Sequence, residues 1–94
     1  MYNVKIHGAG SIGNHLANAS RRMGWGVTLC DLDPSALKRT REEIYPARYG
    51  QWDDAIQLCT SAEAPQGGFD LIFIGTPPGI KVKKHSLHLY WIYK

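Results

Sequence analysis

The chain has 94 residues, 44% of them hydrophobic and 20% charged, with a formal net charge of +3. That length makes one domain, which buries about 60–65% of the surface its unfolded form exposes. No apolar run approaches the roughly 20 residues of a membrane-spanning helix, and no charged-then-apolar leader opens the sequence, so a cytoplasmic chain without a membrane partner is expected.

The charge is unevenly placed. Residues 1–78 carry seven Lys/Arg against eight Asp/Glu, while Lys81, Lys83, Lys84 and Lys94 lie in a tail with no acid. Four tail lysines read as a solvated surface, and nucleic acid is not an expected partner. Cys30 and Cys59 form no C-x-x-C, which points to two reduced thiols. His85 and His88 have no supporting ligands, and one strand would turn them to opposite faces, so no metal is expected.

In chain order, the alternation of Tyr2, Val4 and Ile6 predicts a first strand. Gly8, Gly10 and Gly13 follow and spell G-x-G-x-x-G. Ile12, Leu16, Ala19 and Met23 recur at helical spacing, predicting the inward face of a helix that starts near Ser11 and ends around Gly24 and Gly26. "GVTLCD", residues 26–31, reads as a second strand closed by an acid, in the manner of a parallel sheet covered on both faces.

A glycine loop between a strand and a helix, with an acid at the end of the next strand, is the context a dinucleotide site requires. Asp31 lies 18 residues beyond Gly13 and is expected to accept from the adenosine ribose. Asp33 precedes Pro34, the pattern of a helix cap. Gly8 permits the tight turn, Gly10 the approach of the pyrophosphate, and Gly13 close packing of helix on strand. The phosphates would face free N–H groups at the helix start, around Ser11 and Ile12. The G-K-[ST] of a P-loop is absent, which argues against ATP or GTP hydrolysis.

Residues 34–45 read as a helix with Leu37, Thr40 and Ile44 on one face, supported by the pairs Lys38–Glu42 and Arg39–Glu43. "ARYG", residues 47–50, is expected as a short third strand. "WDDAIQLCTSA", residues 52–62, is expected as a helix with Trp52, Ile56 and Cys59 inward. "PQGG" reads as a turn. "FDLIFI", residues 69–74, reads as a central strand, and "GTPPG" then brings Thr76 and Pro77 to the rim where parallel sheets bind ligands.

Taken together, "GAGSIGNHLA", "GVTLCDLDP", "YPARYGQWDDAIQL" and "FDLIFIGTPP" resemble the NAD(P)-binding half of the glucose-fructose oxidoreductase / inositol dehydrogenase / MocA (Gfo/Idh/MocA) family over residues 2–78. A second similarity, through G-T-P after a comparable strand, is to nucleotide-sugar dehydrogenases. The resemblance implies a cofactor beside the T-P-P segment, hence at Thr76 and Pro77. The chain also departs from the pattern. Leu16 stands where the family usually has a His, His7 replaces an apolar residue, and "IKVKKHSLHLYWIYK" stands where the family places a strand and a Glu-Lys-Pro motif.

The expected fold is α/β, a Rossmann-like parallel sheet with flanking helices in a single small domain. Residues 1–79 form the dinucleotide-binding domain, and residues 80–94 a basic, aromatic tail whose alternating Leu87, Leu89, Trp91 and Tyr93 suit an added strand. The expected cofactor is NAD, with NADP as the second candidate, held by Gly8, Gly10, Ser11, Ile12, Gly13, Asp31, Thr76 and Pro77. The break after T-P-P suits a truncated oxidoreductase that lacks its catalytic and substrate domain and is inactive alone. The alternative is a stand-alone, non-catalytic nucleotide-binding or sensing module. A sheet of four or five strands leaves an edge, so a homodimer is expected.

Overall fold

A computed structural model describes residues 2–75 in full and residues 76, 79–84 and 90–93 as backbone. The predicted first two strands and the helix between them form as β1 (Asn3–His7), α1 (Ser11–Arg22) and β2 (Gly26–Asp31). Helical structure then runs through α2 (Pro34–Arg39), a π-helical stretch (Thr40–Ile44) and α3 (Tyr45–Tyr49). The remaining elements are all strands: β3 (Ile56–Thr60), β4 (Leu71–Thr76), β5 (Gly79–Lys84) and β6 (Tyr90–Tyr93).

The strands make one sheet in the order β3-β2-β1-β4-β5-β6. The first four are parallel, and β5 and β6 add antiparallel pairs. The chain is thus an α/β fold with a four-stranded parallel sheet flanked by helices, in a single small domain. From β1 it winds outward to β2 and β3, then returns to β4 on the other side of β1. The ends of β1 and β4 therefore flank a switch point, where open α/β sheets form their clefts.

Alternation sets the two faces of the sheet. Val4, Ile6, Val27, Leu29 and Ile56 form one core with Ala17, Ala36, Leu37 and Tyr45 of the helices. The opposite face is more polar: Lys5, Thr28, Cys30 and Ile72 are buried there. The β3–β4 connection crosses this face. The Lys5 Nζ donates to the Pro65 carbonyl oxygen at 2.8 Å and sits 5.1 Å from the Phe69 ring centre. A buried ammonium needs such partners, because its desolvation is otherwise uncompensated.

Three local expectations fail. The predicted inward face of α1 is wrong: Gly13, Asn14, Ala17 and Ser20 are buried, while Ile12 and Met23 are exposed and Leu16 is half-buried. Small residues face the sheet because Gly13 must lie against Gly8, which fixes the rotation of the helix. Residues 47–50 are not a strand. Tyr45 and Tyr49, one helical turn apart, pack edge-on at 4.8 Å, and Tyr45 packs Trp52 at 5.2 Å, so aromatic packing holds α3 helical.

Nor are residues 52–62 a helix. The Asp53 carboxylate accepts from the Ala55 N–H at 2.9 Å and the Asp53 carbonyl from the Ile56 N–H at 3.0 Å. This is a turn that delivers the chain into β3, where Ile56 and Leu58 face the core. The predicted helix over 34–45 continues to Tyr49 instead, and its π-helical stretch precedes Pro46, which has no N–H to keep an α-helical register.

Candidate functional site

The C-terminal ends of the parallel strands frame an open cleft of about 480 Å³ lined by His7, Gly8, Asp31, Leu32, Ser61, Ile74 and Gly75. Its floor is the loop between β1 and α1, where each glycine meets a different demand. Gly8 has φ +108°, a conformation that disfavours any residue with a Cβ, and a Cβ there would overlap the Gly75 carbonyl oxygen. A Cβ on Gly13 would overlap the Gly8 carbonyl oxygen. At Gly10 a Cβ would meet nothing within 4 Å. Two glycines thus allow the backbone to close on itself, while the middle one leaves space open above the loop.

Asp31 ties the loop to β2. Its Oδ2 accepts from the Ala9 N–H at 2.8 Å and its Oδ1 from the Asp33 N–H at 2.9 Å. The Gly8 N–H donates to the Cys30 carbonyl oxygen at 2.7 Å. A carboxylate offers about four lone-pair sites, so Asp31 retains capacity for hydroxyl donors. Asp33 does what its position before Pro34 predicts: its Oδ1 accepts from the Ser35 N–H at 2.9 Å and caps α2.

Helix α1 begins with no side-chain cap and no acidic residue in its first turn. Its leading N–H groups, at Ser11, Ile12 and Gly13, have no intrahelical acceptor and add to the positive end of the helix. The Arg48 guanidinium lies beside them, donating to the Ser11 carbonyl oxygen at 2.9 Å and to its Oγ at 2.7 Å. Beneath the loop the Asn14 Nδ2 donates to the Gly10 carbonyl oxygen at 2.8 Å and to the Thr40 Oγ1 at 3.1 Å. The Thr40 hydroxyl donates to the Ala9 carbonyl oxygen at 3.0 Å. Both side chains are fully buried, and they fix the loop from below.

The structure therefore gathers Gly8 and Asp31 in the cleft wall, with Gly10, Ser11, Ile12 and Gly13 on the adjoining loop and first helical turn. Thr76 ends β4, directly after Gly75, with its backbone paired to Gly79. Pro77 lies outside the described residues, as do His85 and His88. Among the described residues no cluster of three His, Cys, Asp or Glu could hold a metal.

Sequence reasoning missed Ala9, Asn14, Thr40, Arg48 and Ser61 as members of the site. The only signal was the inward position of Thr40 on its predicted helix face. His7 is half-buried, and burial, followed by the nearby Lys5 charge, lowers its pKa from 6.5, leaving a neutral imidazole in the cleft at pH 7. No helix of the described residues is long and apolar enough to cross a membrane. No family model, curated protein or solved structure matches the chain.

Proposed function

We propose that the chain binds NAD, with NADP as the weaker ligand, as the nucleotide-binding part of an oxidoreductase similar to the Gfo/Idh/MocA family. The carrying observation is the division of labour among the three glycines, with Asp31 hydrogen-bonded into the same loop. Gly10 leaves open the space a pyrophosphate needs, and the uncapped first turn of α1 offers N–H groups and positive charge to it. No lysine or arginine lies within the loop itself, so backbone groups carry that contact, with Arg48 alongside. Asp31 would accept from the ribose hydroxyls and repel a 2′-phosphate. His7, Ile74 and Gly75 line the cleft on the side of the switch point toward β4, and Thr76 follows them.

Bound NAD supplies a hydride acceptor. The chain's own residues hold the nucleotide, and binding rather than turnover is the activity assigned to it. Reduced Cys30 and Cys59 suit a cytoplasmic setting. Isothermal titration of the purified chain with NAD, NADH and NADP tests the reading. NAD and NADH are expected to bind, and NADP more weakly. No nicotinamide reduction is expected with sugar alcohols. Absence of heat and of any other binding signal at millimolar nucleotide contradicts the reading.

A further inference from the structure

Cys30 and Cys59 are register partners on β2 and β3, so their side chains leave the same face of the sheet. Their sulfurs lie 3.8 Å apart. Cys30 is fully buried and Cys59 half-buried. Neither thiol serves the proposed nucleotide contacts, yet both adjoin them. The Cys30 carbonyl oxygen holds the Gly8 N–H at 2.7 Å, and the next residue, Asp31, holds Ala9. On the other strand, Ser61 follows closely after Cys59, lines the cleft, and donates its N–H to the Asp31 carbonyl oxygen at 3.0 Å.

We propose that Cys30 and Cys59 form a reversible disulfide when the protein meets hydrogen peroxide, and that closing this bond loosens the glycine loop. Neighbouring strands lie about 4.8 Å apart, within the roughly 4.4–6.8 Å that disulfides span between Cα atoms. The sulfurs have to close by about 1.8 Å to reach a bond length near 2.05 Å. Side-chain rotation supplies part of this and a backbone shift the rest. Any shift at Cys30 passes to Gly8 through the hydrogen bond at its carbonyl, and to Ala9 through Asp31.

The chemistry runs in two balanced steps. The Cys59 thiolate attacks one peroxide oxygen. An S–O bond forms, the O–O bond breaks, and the released hydroxide takes up a proton to leave as water. Cys59 is oxidised by two electrons to a sulfenic acid, and the peroxide is reduced. The Cys30 sulfur then attacks the Cys59 sulfur, forming the S–S bond and breaking the S–O bond. The hydroxide lost from Cys59 carries away the Cys30 thiol proton as a second water.

The order of attack follows from the two environments. The Cys30 thiol is pushed up to about 12, by burial first and then by Cys59 beside it, so it remains protonated and unreactive toward the oxidant. Cys59 is the more accessible sulfur, reacts first, and is then resolved by Cys30.

The test treats the full chain with hydrogen peroxide and follows intact mass, free thiols and amide hydrogen exchange. Expected are a loss of about 2 Da from the single chain with both of its thiols consumed, and recovery with dithiothreitol. Exchange at the Gly8 and Ala9 amides should become at least about threefold faster in the oxidised form. Cys59→Ser and Cys30→Ser should each abolish the 2 Da loss, and their reduced thermal stability serves as the folding control. Irreversible gains of about 16, 32 or 48 Da, or disulfides between chains, overturn the pairing. A disulfide that leaves Gly8 and Ala9 exchange unchanged overturns the coupling to the loop.

A parallel NAD titration rests on the proposed function, with affinity expected to fall about tenfold on oxidation. If the reduced chain binds no NAD, the functional reading fails, while mass and exchange still decide the disulfide.

Discussion

At the scale of single residues, substitutions at the glycines should separate folding from the proposed binding. Gly13→Ala places a methyl group against the Gly8 carbonyl, and α1 must back away from the sheet. A loss of about 3 kcal/mol is expected, lowering the melting temperature by roughly 12–24 °C for a domain of this size. Gly10→Ala meets no neighbour and has φ −92°, so its stability should change by under about 0.5 kcal/mol. The new methyl group would occupy the open space above the loop that the proposed pyrophosphate needs, and NAD affinity should fall at least about tenfold. Circular dichroism melts and nucleotide titrations on the two variants should therefore give opposite patterns.

The aspartates separate in the same way. Asp31→Asn keeps an acceptor for Ala9 but removes the charge. NAD should weaken about 10- to 100-fold, from the lost charge-assisted bonds, and the preference over NADP should narrow. Asp33→Ala removes the α2 cap and should cost about 1 kcal/mol of stability with little change in nucleotide preference. If Asp33→Ala is the variant that loses NAD, the two roles are reversed.

At the scale of elements, pH should reveal how β1 and the turn before β3 are held. His7 binds its proton less readily folded than unfolded, because of burial and then Lys5. The unfolded chain therefore takes up more protons as pH falls through 6.5, and stability drops with it. Urea titrations should show this decline between about pH 7 and 5, and His7→Gln should remove it.

Asp53 acts in a lower window. Burial raises its pKa, but the Ala55 N–H and Arg21, whose Nε lies 3.0 Å away, prevail and hold it below 3.8. Its stabilisation is present above the ordinary carboxylate range and disappears as pH falls through the lowered value. Asp53→Asn should cost about 0.5–1 kcal/mol at neutral pH and should flatten the acid limb of the urea titrations.

Elements were legible where one physical signal acted alone. Strict alternation at Tyr2, Val4 and Ile6 marks β1, and β2 and β4 are short, largely apolar runs. Gly13 was readable as a close-packing glycine, but its consequence for the rotation of α1 was not. The spacing of Ile12, Leu16, Ala19 and Met23 looks like a buried stripe, and only the contact with Gly8 shows that the small residues must face inward.

Residues 45–60 misled because their signals compete. Trp52, Ile56 and Cys59 fit a helical repeat, while Ile56 and Leu58 fit a strand, and Asp53 can start a helix or a turn. Tertiary packing chose the strand, because Ile56 completes the core beside Val27. In the candidate site, the glycines and both aspartates could be read from spacing. The Asn14–Thr40 network and Arg48 could not, because residues 26 and 37 positions apart meet there only through the fold.

At the scale of the whole molecule, the parallel sheet places the glycine loop, Asp31 and Gly75 around one cleft at its switch point. β3 ends the sheet order on one side, which motivates the expected homodimer. Light scattering at tens of micromolar should give twice the chain mass of 10.5 kDa, and a monomer mass would dispose of that expectation.

The central claim is that the loop and the start of α1 bind the pyrophosphate, and NAD titration followed by amide chemical shifts addresses it at single-residue resolution. Saturable shifts are expected, concentrated at Gly10, Ser11, Ile12 and Gly13, with a second group at Asp31 and Leu32, all lost in Gly10→Ala. No shift at millimolar NAD, or shifts that map away from the loop, would contradict it.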